Sequence, residues 1–407
     1  MMRALDDIIV LDLSRVLAGP WATQTLADLG ARVIKVEKPG EGDDTRGWGP
    51  PFVTDPETGA PGDAAYYLCA NRGKDSVTVN ISTPEGQDII RELAKKADVL
   101  VENYKLGGLK KYGLDYESLK EVNPQLVYCS ITGFGQTGPY APRAGYDFMI
   151  QAMGGMMSVT GERDDLPGGG PQKAGVAMAD IGTGLYAAIA VLGALHQRQR
   201  TGRGQHIDMA LLDSQVFNMA NQALSYLVSG TSPVRLGNGH SAIVPYQAFP
   251  TKTGHMVIAV GNDNQFRKLV TVLGNPALAD DPRFKTNADR VGNRETLVSL
   301  IEEMTRKVSS GELYDLLEGV SVPCGPINTL EDVFQDPQVI ARGLRKDLPH
   351  ATYGTVPGVA SPLRLSDSPV SYDKAPPRLG ENTDEILQDI LGLDGKTLRT
   401  LRDKGAI

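Results

Sequence analysis

The sequence predicts an α/β fold with a doubly wound parallel sheet, and two observations lead to this prediction. Short β-branched segments alternate with helical segments along the first half of the chain, as at Ile8–Leu13, Arg32–Glu37 and Gln125–Thr132. Each of these segments is followed by a polar or glycine-rich loop. This alternation is typical of a parallel sheet covered by helices on both faces. It also places the loops at the strand ends where such sheets bind ligands.

The first forty residues predict one β–α–β unit. The strand Ile8–Leu13 leads through a loop to a helix over Trp21–Leu29, with Pro20 suited to the first helical turn and Gly30 suited to the position after the helix end. The second strand is Arg32–Glu37. The loop contains one glycine, whereas a GxGxxG dinucleotide motif has three. The segment alone therefore fits either a plain turn or a nucleotide-binding loop of unusual sequence.

The rest of the chain predicts further elements of both kinds. In chain order they are a helix at Glu85–Lys96, a strand at Asp98–Asn103, an apolar helix at Leu185–Leu195, a long helix near Ile207–Leu227, paired strands at Pro245–Pro250 and His255–Val260, helices at Asn264–Leu273, Arg294–Val308 and Gly311–Glu318, and a helical tail over Leu379–Ile407. The change of pattern in the middle of the chain indicates a smaller α+β domain at 228–325.

Composition excludes several classes of protein. The 407 residues carry a net charge of −8, which argues against a nucleic-acid-binding surface. The five histidines and the cysteines Cys69, Cys129 and Cys324 are scattered without metal-ligand or disulfide spacing. No uninterrupted apolar run reaches the roughly 20 residues of a membrane span, and no apolar signal region begins the chain. We therefore expect a soluble, cytoplasmic protein that binds no metal, nucleic acid or membrane.

Asp180 is the strongest candidate for chemistry. It lies just before or at the start of the predicted apolar helix, and Gly182 and Gly184 follow it. Each glycine costs about 1 kcal/mol in a helix relative to alanine, which is consistent with a large ligand approaching the backbone there. Unpaired N–H groups at the helix start would favour an anionic, nucleophilic carboxylate. A simple N-cap role is the alternative.

Basic residues follow several of the predicted strands. They could form a cationic mouth for phosphate or carboxylate groups, or they could be ordinary surface charges. They are Lys38, Arg46, Arg72, Lys74, Lys105, Lys111 and Arg143.

Several motifs in a fixed order cover essentially the whole chain. They are Leu11–Pro20, Gly30–Gly40, Gly42–Arg46, Val101–Tyr104, Ser130–Gly135, Met178–Gly184 and Arg200–Gln205. In these motifs the sequence resembles the family III CoA-transferases of the formyl-CoA transferase and L-carnitine CoA-transferase type. Three further segments, Thr45–Val53, His240–Phe249 and Gly261–Phe266, are similar to the succinate–hydroxymethylglutarate (glutarate) CoA-transferases within that family, which implies dicarboxylate substrates.

The resemblance implies a fold that the residue pattern alone does not show. Family members are interlocked homodimers in which a large Rossmann-like domain is built from both chain ends. Here that organisation implies a large CoA-binding domain at 1–205, a linker helix at 206–227, the small α+β domain at 228–325, and a return linker with the C-terminal part of the large domain at 326–407.

The resemblance also implies a site. The nucleophile falls on Asp180, and a covering loop falls on Gly237, Gly239 and His240, with two glycines in place of a longer glycine run. CoA or acyl-CoA is a substrate, and no permanently bound cofactor is implied. A dicarboxylate's second carboxylate needs a cation, for which Arg46, Arg72 and Arg143 are candidates. The implied CoA contacts are Val16, Leu17, Ala18, Lys38, Val79, Asn80, Asn103, Tyr104, Lys105, Lys111 and Arg143.

The implied chemistry begins with attack of the Asp180 carboxylate on a donor thioester, which yields a mixed anhydride and then an aspartyl-CoA thioester. The nearest competing function is that of an α-methylacyl-CoA racemase, which shares the fold but has a histidine base where this chain has Tyr146. Tyrosine, with a usual pKa near 10, is a poor substitute for that base. The residues also leave open a nicotinamide-dependent dehydrogenase and a catalytically silent CoA-binding protein.

Overall fold

The computed structural model of the protein describes residues 3–407. Its strands, in chain order, are β1 (Ile9–Asp12), β2 (Arg32–Glu37), β3 (Phe52–Thr54), β4 (Pro61–Ala64), β5 (Lys74–Thr78), β6 (Val99–Glu102), β7 (Val127–Thr132), β8 (His206–Ala210), β9 (Tyr246–Thr251), β10 (Gly254–Ala259), β11 (Cys324–Pro326), β12 (Arg345–His350) and β13 (Gly354–Val359).

The α-helices are α1 (Ala18–Asp28), α2 (Ala65–Leu68), α3 (Pro84–Lys96), α4 (Tyr116–Val122), α5 (Asp147–Met153), α6 (Met156–Val159), α7 (Met178–Thr201), α8 (Leu211–Asn218), α9 (Ala220–Ser229), α10 (Asp263–Val272), α11 (Asn287–Gly292), α12 (Arg294–Thr305), α13 (Ser310–Glu318), α14 (Leu330–Gln335), α15 (Pro337–Ala341), α16 (Thr383–Leu391) and α17 (Gly395–Asp403). Short 3₁₀ turns lie at Asp44–Gly47, Lys110–Tyr112 and Pro276–Ala279.

A six-stranded parallel sheet in the order β5-β2-β1-β6-β7-β8 confirms the predicted α/β fold. Successive residues of a strand face opposite sides of the sheet. Val10 and Val33 belong to a buried cluster with residues of α1 and α7. Leu11 and Ile34 belong to a second buried cluster, which includes residues of α3, α16 and α17. Helices therefore cover both faces of the sheet, as a doubly wound arrangement requires.

The chain divides into two compact units. The first comprises the residues up to Met156, Ala174–Leu224 and Gln338–Ile407, and the second comprises Met157–Lys173 and Ser225–Pro337. The large unit thus draws on both ends of the chain and the small one on its middle. The second unit contains the antiparallel sheet β11-β10-β9 and a core shared with α10, α12 and α13. The paired strands predicted in that region are confirmed.

The structure differs from the predicted linker helix at 206–227. The first five residues of that segment form β8, which pairs in parallel with β7 at the edge of the main sheet, and α8 and α9 follow it. Ile207 and Met209 alternate with His206 and Asp208, a period of two that suits a strand. They pack against the cluster beneath the sheet, so tertiary pairing determines the conformation here.

Helix α7 is longer than the predicted apolar helix. It starts at Met178, so Asp180 lies within its first turn and Ala177 is the N-cap residue. By length and mean hydropathy α7 would be able to cross a membrane, but half of its most apolar stretch is buried within the fold. It packs against α1 along the main sheet, as a core helix does.

Candidate active site

A cavity of about 660 Å³ opens at the carboxyl ends of the central strands. Its walls come from the loops that follow these strands: Leu13–Ala18 after β1, Lys38 after β2, Val79–Ser82 after β5 and Asn103–Leu106 after β6. Open α/β sheets bind ligands at this position, because loops from neighbouring parallel strands converge there.

The predicted nucleophile and the predicted CoA contacts line this one cavity. Asp180 is among its lining residues. So are all of the CoA contacts implied by the resemblance, namely Val16, Leu17, Ala18, Lys38, Val79, Asn80, Asn103, Tyr104, Lys105, Lys111 and Arg143.

A buried ion pair supports the loop after β1. Val16 adopts a left-handed conformation with φ of 72°, which is unfavourable for a β-branched residue. Its N–H group points to the Asp43 carboxylate at 3.3 Å, and Lys35 Nζ lies 2.8 Å from the same carboxylate. Lys35 also donates to the carbonyl of Ser14. Burial disfavours ionisation of Asp43, but Lys35 and hydrogen bonds from Thr45 outweigh it and lower the pKa of Asp43 to about 2.

Hydrogen bonds of the Asn103 side chain join the loop after β1 to the loop after β6. The Asn103 side chain accepts a hydrogen bond from the N–H group of Arg15 at 3.0 Å and donates to the carbonyl of Arg15 at 2.7 Å. A side-chain amide that satisfies both polar groups of one residue holds that part of the backbone in place. Because Arg15 and Asn103 both line the cavity, this contact fixes the relative position of two of its walls.

Asp180 lies beside a second aspartate. Asp147, the first residue of α5, accepts hydrogen bonds from the N–H groups of Ala179 and Asp180 at 2.8 and 3.2 Å. The free N–H groups at the start of α7 thus bind Asp147. Burial, together with the charge of Asp147, raises the pKa of Asp180 to about 7. The expectation that helix N–H groups favour the anion of Asp180 is therefore wrong, because another carboxylate occupies them.

Asp147 is itself held in place. The Gln151 amide donates to Asp147 Oδ2 at 2.6 Å and accepts from the N–H group of Ala174 at 2.9 Å. Gln151 is fully buried. No local sequence pattern connects Asp147 with a helix that begins more than thirty positions later.

Cationic side chains line the same cavity. The Arg143 guanidinium carbon lies 4.6 Å from the centroid of the Tyr140 ring and 5.4 Å from that of Phe134. Among residues 3–407, Arg143 has no carboxylate partner within ion-pair distance. Lys111 lies over the ring of Tyr112 at 4.6 Å. These cations are available for anionic groups of a ligand.

Arg46 and Arg72 are placed elsewhere, which corrects their assignment to the substrate site. Arg46 is buried, with Nη2 2.6 Å from Glu37 and Nη1 2.9 Å from Asp63. Arg72 is buried and binds both oxygens of Asp28. Neither arginine lines the cavity. Their charges are neutralised within the protein, so the structure gives them a role in stability.

The predicted covering loop belongs to the second unit. Gly237 has a left-handed φ of 56°, and its N–H group donates to the carbonyl of Gly161. His240 Nδ1 accepts from the N–H group of Ala242, and the His240 ring lies 5.2 Å from that of Tyr246. Gly237, Gly239 and His240 are not lining residues of the cavity in the first unit, and their role with substrate stays a prediction.

The two glycines that follow Asp180 differ in their packing. A Cβ atom at Gly184 would lie 2.6 Å from the carbonyl oxygen of Ala18 in α1. A Cβ atom at Gly182 would lie 2.5 Å from the Asn218 amide nitrogen in α8. The close approach of the α1 backbone accounts for Gly184, whereas Gly182 meets only the end of the flexible Asn218 side chain.

Comparison with known proteins places this geometry in a family. The model of CoA-transferase family III matches residues 5–383. A succinate–glutarate CoA-transferase of Agrobacterium fabrum is 52% identical over 386 residues, which are 95% of each chain. The chain belongs to CoA-transferase family III.

Two further proteins are similar to this CoA-transferase family member in sequence or in structure. A human succinyl-CoA:glutarate CoA-transferase is 45% identical over 408 residues, which cover 100% of this chain and 90% of the relative. The crystal structure of a CaiB/BaiF family protein from Brucella suis has a TM-score of 0.85 and 54% identity, and covers 96% of this chain and 100% of its own. The enzyme thus uses CoA thioesters as substrates, and the predicted resemblance is confirmed.

Proposed function

We propose that this enzyme transfers CoA from succinyl-CoA to glutarate, with Asp180 as the nucleophile. The observation that carries the proposal is the shared cavity, because Asp180 lines it together with every residue predicted to contact CoA. The choice of acids rests on the relatives from Agrobacterium fabrum and man, which are named as succinate–glutarate enzymes.

The covalent steps need only carboxylates and a thioester. The Asp180 carboxylate attacks the succinyl thioester carbonyl, and the C–S bond breaks to release CoA thiolate and leave a succinyl–aspartyl anhydride. The thiolate then attacks the aspartyl carbonyl, which releases succinate and forms an aspartyl-CoA thioester. Glutarate repeats these two steps in reverse, and glutaryl-CoA leaves with Asp180 regenerated. The route conserves the free energy of the thioester through two easier steps.

The surroundings of Asp180 suit a nucleophile. A carboxylate whose pKa is about 7 is more basic, and therefore more nucleophilic when ionised, than an ordinary aspartate. Asp147 accepts hydrogen bonds from the N–H groups of Ala179 and Asp180 in the first turn of α7, and so fixes the direction of the Asp180 side chain.

We also propose that the enzyme is an interlocked homodimer. Helix α9 has no buried residue in the single chain, although most of its side chains are apolar. In the second unit Val228 is 84% exposed and Leu227 is 72% exposed, and in the first unit Phe217 of α8 is 72% exposed. Exposed apolar side chains on each unit support surfaces that a second copy covers. Light scattering on the purified protein tests the dimeric state, and a monomeric mass at micromolar concentration contradicts it.

A transfer assay in D₂O tests the proposed reaction. Succinyl-CoA is supplied with a pool of glutarate, hydroxymethylglutarate, malate, oxalate, formate and carnitine, and a 2-methylacyl-CoA is added as an internal check. We expect glutaryl-CoA as the principal new thioester in the mass spectrum. A different new thioester overturns the choice of acceptor. Deuterium in the 2-methylacyl-CoA without any new thioester overturns transfer in favour of racemisation.

A further inference from the structure

The segment Ser14–Val16, which follows β1 and lines the cavity, is held by side chains rather than by secondary structure. Its backbone makes no hydrogen bond to another backbone group within residues 3–407. Its N–H and carbonyl groups are bound instead by the side chains of Asp12, Lys35, Asp43 and Asn103. Because no ladder or helix fixes this segment, its conformation depends on those side chains.

Val16 has an unfavourable backbone conformation. Its φ of 72° lies in the left-handed region, where the Cβ atom crowds the neighbouring carbonyl oxygen. Among the residues that the structure describes, the other non-glycine residues with positive φ are Ala220 and Ser321, and neither is β-branched. A strained conformation of this kind persists only where the surrounding contacts enforce it. At the N–H group of Val16 that contact is with Asp43.

The Asp43 carboxylate is fully occupied by the protein. It is buried, and it accepts from the N–H and hydroxyl groups of Thr45 at 3.0 and 2.7 Å and from Lys35 Nζ at 2.8 Å. The N–H group of Val16 is shared between its two oxygens at 3.3 Å. An ionised carboxylate offers about four acceptor positions, so these donors leave none for a ligand. Asp43 is itself fixed, because its N–H group donates to Glu37 Oε2 at 2.9 Å.

The hydrogen bonding of the backbone changes at Val16. Its carbonyl group and the N–H groups of Leu17 and Ala18 have no hydrogen-bond partner in the part of the chain that the structure describes. All three residues line the cavity, and no side chain caps the start of α1. Leu17 and Ala18 are buried, and a buried N–H group without a partner costs free energy. A ligand in the cavity that supplies these partners is therefore favoured.

We propose that Asp43 is a positioning residue for CoA binding, which holds Val16 in its left-handed conformation. In that conformation the Val16 carbonyl and the N–H groups of Leu17 and Ala18 are free for polar groups of CoA. This inference deepens the proposed function and rests on its CoA site. A loop that is already in the binding conformation spares the cost of ordering it, so affinity depends on the contact that keeps it there.

Glycine at position 16 gives this role a specific signature. Glycine adopts a positive φ about as readily as a negative one, so a loop with Val16→Gly does not need Asp43 to impose the left-handed conformation. Loss of the Asp43 charge is therefore expected to weaken CoA binding strongly when residue 16 is valine and much less when it is glycine. A general effect of Asp43 on the fold would be equal in both cases.

Calorimetric titration with CoA tests this coupling. Asp43→Asn is expected to raise the Kd at least about tenfold, because one amide oxygen cannot accept from all the donors that the carboxylate holds. Val16→Gly alone, and Val16→Gly combined with Asp43→Asn, are expected to have Kd values within about threefold of each other. The matched control is Asp75→Asn, since Asp75 is also buried and paired with a lysine, Lys374, but does not line the cavity. It is expected to keep the parent Kd.

A second set of variants keeps the test independent of folding. Asp43→Asn leaves the buried Lys35 without its carboxylate, which is strongly destabilising. The valine–glycine comparison is therefore repeated with Lys35→Met and Asp43→Asn together, because removal of both buried charges is far better tolerated than removal of one. The same pattern of Kd values is expected, with circular dichroism as the check on folding.

Residue-resolved hydrogen–deuterium exchange gives a second readout on the parent enzyme. The N–H group of Val16 is expected to exchange slowly with or without CoA, because a buried carboxylate binds it. Saturating CoA is expected to slow exchange at Leu17 and Ala18 at least about tenfold. Where no Asp43 variant folds, this exchange result alone decides.

The outcomes separate this inference from the proposed function. Equal Kd values for the parent and Asp43→Asn overturn the inference alone, and so does an equal loss of affinity with valine and with glycine at position 16. Unchanged exchange at Leu17 and Ala18 in an enzyme saturated with CoA also overturns it. Absence of CoA binding by the parent overturns the proposed CoA site itself.

Discussion

Asp147 accepts the backbone N–H groups of Ala179 and Asp180, and its charge opposes ionisation of the Asp180 carboxyl beside it. Asp147 thus has two effects on Asp180. It orients the helix turn that carries Asp180, and it makes the Asp180 carboxylate a stronger base. Neither effect is evident from the motif around Asp180, because Asp147 comes from a different helix.

This pairing predicts the pH dependence of the first covalent step. The carboxylate is the reacting form, so the rate of aspartyl adduct formation at saturating succinyl-CoA is expected to rise with pH and level off above about 7. Asp147→Asn removes the neighbouring charge but keeps an oxygen acceptor for the two N–H groups. The acid limb of the rate profile is expected to move to lower pH in this variant. An unmoved limb, measured by rapid quench and intact mass, contradicts the assigned electrostatics.

Asp180→Asn is expected to lose transfer by about three orders of magnitude or more, as removal of a covalent nucleophile usually does. The intact-mass adduct seen after incubation with acyl-CoA is expected to disappear, while circular dichroism is unchanged. The chain offers a matched control in Asp213→Asn, since Asp213 is exposed and is also the third residue of its helix. Transfer by Asp180→Asn within tenfold of the parent contradicts the mechanism.

Arg72 is expected to affect stability rather than substrate use. Its guanidinium binds both oxygens of the buried Asp28, so Arg72→Ala leaves a buried carboxylate unpaired, which costs about 3–5 kcal/mol of unfolding free energy. Arg402→Ala removes an exposed partner of Asp384 and is expected to cost less than about 1 kcal/mol. Urea unfolding measures both. A fully stable Arg72→Ala enzyme with a raised KM for the acceptor restores Arg72 to the substrate site.

The sequence predicted the sheet well because its local patterns agree with its tertiary pairing. The strand Arg32–Glu37 has the predicted bounds, and the helix Pro84–Lys96 starts one residue earlier than expected. Strand β8 was predicted as helix, because it has only five residues and is followed directly by an apolar helical segment. The alternation of apolar and polar residues over so short a stretch is a weaker pattern than the helical periodicity that follows it. The strand conformation of β8 depends on pairing with β7, a contact that local periodicity does not show.

The candidate site, like the fold, could be predicted from the sequence only in part. Residues that follow strands could be assigned to the cavity, because the end of a parallel strand fixes where its loop lies. The charges could not be assigned: Arg46 and Arg143 are equivalent in sequence as basic residues after predicted strands, yet one is paired with Glu37 inside the protein and the other lines the cavity. Carboxylate partners distant in sequence decide between those outcomes.

Gly184 and Gly193 lie on the same helix and give a test of the packing that holds Asp180 in place. A Cβ atom at Gly184 would meet α1 at 2.6 Å, so Gly184→Ala is expected to cost about 1–3 kcal/mol of unfolding free energy through overpacking. A Cβ atom at Gly193 meets nothing within 4 Å, and Gly193→Ala is expected to stabilise the fold by about 0.5–1 kcal/mol through helix propensity. Because α7 carries Asp180 in its first turn, Gly184→Ala is also expected to slow adduct formation. Equal stability of the two variants contradicts close contact between α1 and α7.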